Sequence, residues 1–179
     1  MQKNKSLLII LICYITALIC SVLFINLYNN KNLILTLLYA DIVATIIIYI
    51  SSFTFKNSSI IDPYWSLIPP LLLLFWIINI NTINILNTSL LIFNILFWSI
   101  RLTYNWFRNW EGLEHEDWRY IDLKDRFGKY YQLINFLGIH LFTTLIIFSC
   151  CMPFKYIIEN KETNINILIG FIICIMGVL

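Results

Sequence analysis

The chain has 179 residues, 60% of them hydrophobic and 12% charged, with a net charge of +2 and a mean hydropathy of +0.79. A soluble domain is roughly a quarter charged, so a soluble globular fold is excluded, and a surplus of two positive charges is too small for a nucleic-acid binder. No strand-like alternation occurs, and in a bilayer a helix satisfies its backbone polar groups within itself, so the expected fold is all-α, a multi-pass transmembrane helical bundle.

A span needs about 20 mostly apolar residues, and the sequence offers about six. The first, about 7–28, follows Lys3 and Lys5; it is too long for a signal-peptide core and has no clear cleavage site. The second, about 33–55, contains Asp41, and the two form an N-terminal region, 1–55, distinct from 56–179. The third, about 64–80, opens on Asp62-Pro63-Tyr64-Trp65, in which Asp has the form of an N-cap and Pro that of a first helical residue. Pro69-Pro70 should bend or loosen its first turns. The fourth, about 85–104, ends near Arg101, whose planar fork suits either snorkelling to headgroups or clamping a phosphate or carboxylate.

The one polar region, 108–131, follows. Trp110, Leu113, Trp118 and Ile121 recur there at roughly helical spacing, which predicts a short interfacial helix that Gly128 ends or bends. His115 among Glu114, Glu116 and Asp117 lacks the ligand geometry of a metal site, so no metal is expected. The fifth span, about 133–152, carries His140, and the sixth runs from Ile165 to the last residue. Asp41 and His140 are ionisable groups inside spans, hence functional candidates; each is expected to hydrogen-bond a neighbouring helix at its own depth. The five cysteines, Cys13, Cys20, Cys150, Cys151 and Cys174, lie in apolar runs without zinc spacing and read as small buried hydrophobes.

Basic residues orient the bundle. With a cytoplasmic N-terminus, Lys3, Lys5, Lys56, Arg101, Arg108, Arg119, Lys124, Arg126 and Lys129 fall inside, and Lys31, Lys155 and Lys161 outside. This places the 108–131 stretch on the cytoplasmic side. The membrane is expected to be the endoplasmic reticulum in a eukaryote or the inner (plasma) membrane in a bacterium. No P-loop, G-x-G-x-x-G or serine-nucleophile elbow is present.

Asn57-Ser-Ser-Ile-Ile-Asp-Pro-Tyr-Trp-Ser-Leu, Arg101, Glu116-Asp117-Trp118-Arg119-Tyr120 and Arg126-Phe127-Gly128 resemble, in order and spacing, the DUF1295 family. That family is related to steroid 5-alpha-reductases. The resemblance covers about 55–179. It implies a membrane-embedded reductase that uses NADPH to reduce a carbon–carbon double bond conjugated to a carbonyl in a lipid or steroid-like substrate. Asp62 and Tyr64 are then the catalytic candidates, Trp65 borders the substrate pocket, and Arg101, Glu116, Asp117 and Arg119 contact the cofactor. The resemblance also implies an R-H-P-N-Y-x-G-E-like block after the sixth span; none occurs in the sequence, so the chain is expected to be cut short and its activity reduced or lost. The alternative is a non-catalytic multi-pass membrane protein, either a degenerate relative or a complex subunit. Expected partners are the bilayer and the lipid substrate; composition does not fix the oligomeric state.

Overall fold

A computed structural model describes residues 3–28 and 32–178; Lys31, used in the charge count, and Leu179 lie outside the described residues. The described residues form helices joined by short loops and turns, without strands. The helices are α1 (Lys3–Leu27), α2 (Leu33–Phe55), α3 (Tyr64–Asn79), α4 (Ile85–Asn109), α5 (Trp118–Phe127), α6 (Tyr131–Ile134), α7 (Phe142–Cys151), α8 (Pro153–Glu159) and α9 (Ile165–Val178). A 3-10 turn, Ser58–Ile61, precedes α3, and a π-helical segment, Asn135–Leu141, joins α6 to α7. Among the described residues five helical stretches are long and apolar enough to cross a membrane: Lys3–Leu27, Leu33–Phe55, Ser58–Asn79, Ile85–Asn109 and Trp118–Glu159. The protein is an integral membrane protein with an all-α fold. The expected sixth span is the shorter apolar helix α9, of 14 residues.

The chain divides into two compact units, Met1–Asp62 with Asn109–Ile146, and Pro63–Arg108 with Ile147–Leu179. In the first unit, Asn32 caps α2 by accepting from the Ile34 and Leu35 amides, and α1 packs on α2. Ser21 Oγ donates to the Ala40 carbonyl at 2.8 Å, and Tyr14 OH to the Ile60 carbonyl at 2.9 Å. Asp41, Thr45, Ile48 and Ser52 recur every three or four residues on the buried face of α2. Thr45 Oγ1 meets Thr144 Oγ1 at 2.6 Å, a polar contact that also gives one helix pairing its register in an apolar setting. His140 is wholly buried, and its Nδ1 lies 3.0 Å from the Asn135 carbonyl of its own segment, not from a neighbouring helix as expected.

In the second unit, α3 stays helical through Pro69 and Pro70. Pro70 has no N–H to give the carbonyl four residues back, that of Ser66. Ser99 Oγ, from α4, donates to that Ser66 carbonyl at 2.6 Å, and Ser66 Oγ meets Thr103 Oγ1 at 2.8 Å. The predicted loosening is thus offset by a neighbouring hydroxyl. At the other end of α4, Asn87 is buried and ties down the turn before α9, donating to the Asn160 carbonyl and accepting from Thr163 Oγ1 at 2.6 Å.

Two local expectations need correction. The expected short helix begins only at Trp118; Trp110 and Leu113 are buried residues of the preceding loop, held by tertiary contacts rather than helical periodicity. It ends, as predicted, at Gly128, with φ +46°. Of the cysteines, all free, only Cys151 is buried; Cys150 and Cys174 are exposed on apolar helices.

Candidate functional site

The polar blocks of the first unit close on one another in register. Asn57, the N-cap of the 3-10 turn, accepts from the Ser59 amide at 2.8 Å and donates through Nδ2 to the Leu113 and His115 carbonyls, both at 2.9 Å. Glu116 Oε1 accepts from the Ser58 amide at 2.6 Å, and Ser59 Oγ accepts from the Asp117 amide at 2.9 Å. Tyr120 OH donates to Asp62 Oδ1 at 2.6 Å. Four of these links, 57 with 115, 58 with 116, 59 with 117 and 62 with 120, share one sequence offset of 58 residues. Asn57, Ser58 and Ser59 are each 2% exposed, so side chains rather than water must satisfy this non-helical backbone. The two short motifs are therefore halves of one bracket.

The bracket carries a charge cluster on its open side. Asp117 caps α5 by accepting from the Arg119 amide. Its carboxylate also takes both edges of the Arg119 guanidinium, Nε at 2.8 Å and Nη2 at 3.0 Å. This pairing holds the Asp117 carboxyl below the usual carboxylate range. Arg119 Nη2 lies 3.9 Å from Asp62 Oδ1. Glu116 Oε2 pairs with Lys124, which also donates to the Lys56 carbonyl at 3.1 Å. Ser58 Oγ meets Tyr131 OH at 2.6 Å.

The predicted site residues divide between the two units. Asp62, Glu116, Asp117 and Arg119 gather in the first, with side chains 21%, 11%, 29% and 56% exposed. Tyr64 is buried, while Trp65 and Arg101 are exposed; all three belong to the second unit. Asp62 is not the cap of α3: Pro63 holds that position without a side-chain hydrogen bond, and the Asp62 carboxylate turns to Tyr120. Tyr120, 6% exposed, escaped the sequence reading as a site residue; its one signal was its place in the same short block as Asp117 and Arg119.

Arg119 keeps one edge of its guanidinium open. Its Nε and Nη2 are taken, whereas Nη1 makes no hydrogen bond and the side chain is half exposed. Glu116 and Asp117 already hold protein partners, so they set the arginine and the turn in place. No group of three His, Cys, Asp or Glu side chains among the described residues is placed to hold a metal ion.

Residues 48–179 match the family model described as "Protein of unknown function (DUF1295)". An uncharacterized protein of Schizosaccharomyces pombe, C594.04c, is 30% identical over 131 residues, which cover 70% of this chain and 38% of that relative. The chain thus spans well under half the length of the curated relative it matches. No solved structure matches. The family match takes in both halves of the Asn57–Tyr120 bracket and the greater part of the sequence, and the chain belongs to the DUF1295 family.

Proposed function

We propose that the protein is a membrane-embedded, NADPH-dependent reductase of a conjugated enone in a lipid or steroid-like substrate. The observation that carries the reading is the Tyr120–Asp62 hydrogen bond beside Arg119: a partly buried carboxyl and phenol meet at the entry to an apolar helix. Reduction of an enone adds hydride at the β-carbon and a proton at the α-carbon, and is eased by a hydrogen-bond donor to the carbonyl oxygen as negative charge grows there. Bound NADPH supplies the hydride. Asp62 in its protonated form is the donor to that oxygen, with Tyr120 fixing its orientation. Arg119 presents Nη1 to a phosphate, held in place by Asp117, while Glu116 fixes the turn. For Tyr64, as a further proton donor, and Trp65, as a substrate contact, the family resemblance is the support. Arg101 is assigned to the cofactor. The bias of Lys and Arg supports a cytoplasmic side for this face, where NADPH is available.

The second reading, a non-catalytic membrane protein, is favoured by the saturation of the cluster: Glu116, Asp117 and Lys124 each already hold a partner. Titrating purified protein with NADPH separates the two. A reductase gives enhanced cofactor fluorescence and a raised melting midpoint, both weakened in Arg119→Ala, and oxidises NADPH when an enone lipid is added. A flat response in every arm leaves the bracket as a structural device.

A further inference from the structure

A cavity of about 370 Å³ opens in the first unit beside the bracket, within the size range of small-molecule sites. Ser52 and Lys56 from the end of α2, Ser58, Lys124 of α5, Tyr131 and Asn135 line it. Ser52 and Asn135 are each 1% exposed, and each holds an oxygen, Ser52 Oγ and Asn135 Oδ1, that no protein group bonds. Buried polar atoms carry a desolvation cost unless something pairs with them.

The donors present define that partner. Ser52 Oγ has an O–H to give. Ser58 and Tyr131 share one hydrogen bond at 2.6 Å, which leaves one of their two hydroxyl protons for a ligand. Lys124 is neutralised by Glu116, so the surplus charge of the lining is the single ammonium of exposed Lys56. Three donors and one net positive charge suit an oxyanion of charge −1. Asn135 Oδ1, an acceptor, suits a hydroxyl on the same ligand. Outside the polar part, Phe53, Leu133 and Leu137 are exposed apolar side chains against which hydrocarbon can lie.

We propose that this cavity binds a phosphate ester monoanion, either as the phosphodiester headgroup of a membrane lipid or as a free phosphate ester. The test uses the full chain in a neutral detergent at pH 5, where a phosphate monoester is mainly a monoanion like the phosphodiester. Its melting midpoint is followed against dioleoyl phosphatidylglycerol, uncharged dioleoylglycerol and water-soluble glycerol 3-phosphate. Wild type is compared with Ser52→Ala, Lys56→Gln and, as a control on a nearby cation outside the lining, Lys129→Gln. Phosphatidylglycerol is expected to raise the midpoint by several degrees and dioleoylglycerol to leave it unmoved. Ser52→Ala and Lys56→Gln are expected to weaken the response at least fivefold in apparent affinity; Lys129→Gln is not. The unliganded midpoint stays within a degree in Ser52→Ala, because that hydroxyl bonds no protein group. An equal shift by glycerol 3-phosphate assigns the site to soluble phosphate esters, and a shift by the lipid alone assigns it to headgroups. The proposal is overturned if phosphatidylglycerol acts no better than dioleoylglycerol with glycerol 3-phosphate inert, if both lining variants bind like wild type, or if Lys129→Gln loses as much affinity as Lys56→Gln.

Discussion

Tyr120 OH and Asp62 Oδ1 lie 2.6 Å apart, joining the start of α5 to the residue that precedes α3 by one proline. Removing the phenol alone isolates this link. Tyr120→Phe keeps the ring and leaves the Asp62 carboxyl short of one donor. A hydrogen bond to a charged group contributes about 1.5–3 kcal/mol, and partial exposure of Asp62 puts the expected loss at the lower end. Chemical unfolding in mixed micelles is expected to show that loss with helix content unchanged. If the protein reduces enones, the same substitution lowers kcat more than KM for the lipid. A variant as stable and as active as wild type would remove Tyr120 from the site.

Asn57 has the larger structural effect. One side chain satisfies the Leu113 and His115 carbonyls and the Ser59 amide. Asn57→Ala strands these groups in a buried setting, at about 1 kcal/mol or more each, so a loss of roughly 3 kcal/mol is expected. Asn57→Asp keeps the acceptor for Ser59 but removes the donor to both carbonyls and should recover only part of it. Amide exchange across 113–117 is the direct readout: both variants are expected to speed it, with α1 and α2 unaffected.

The helical membrane character and most span boundaries were legible because apolar runs of span length leave few other structures open. The motif residues were legible as types but not as partners. Nothing local in Asn57-Ser-Ser says that these side chains face a loop 58 residues further on; that pairing is a tertiary fact. Trp110 and Leu113 show the converse failure, a helical spacing produced by residues buried in a loop. Asp62 fitted the capping pattern well, yet a competing donor, the Tyr120 hydroxyl, takes its carboxylate.

The Asp117–Arg119 pair predicts an acid response. The folded-state pKa of Asp117 is depressed by the guanidinium, so its contribution is present above the unfolded value, about 3.9, and is lost as pH falls through the lower folded value. Arg119 is more than half exposed, so solvent screening limits the term to under about 1 kcal/mol. Lowering the pH from 6 to 3 in detergent should therefore loosen the first turn of α5 before the spans unfold, read as a smaller protection factor of the Arg119 amide relative to its intrinsic exchange rate at each pH. Asp117→Asn should show that reduced protection already at pH 6 and lose most of the further change in protection on acidification.

The Ser99–Ser66 contact supplies a test inside the second unit. If Ser99 Oγ offsets the carbonyl freed by Pro70, the two residues must be energetically coupled. Ser99→Ala alone leaves the Ser66 carbonyl without that donor in an apolar setting, at about 1 kcal/mol. Pro70→Ala alone restores a backbone N–H to the same carbonyl, which can then accept two bonds. In the Pro70→Ala background, Ser99→Ala should cost much less, because the helix now supplies the missing donor. A double-mutant cycle by unfolding in mixed micelles is expected to give a coupling of about 0.5–1 kcal/mol, the scale for residues sharing one hydrogen-bonding group. Strict additivity would mean that α3 tolerates Pro70 by local adjustment of its own backbone, with Ser99 only packing beside it.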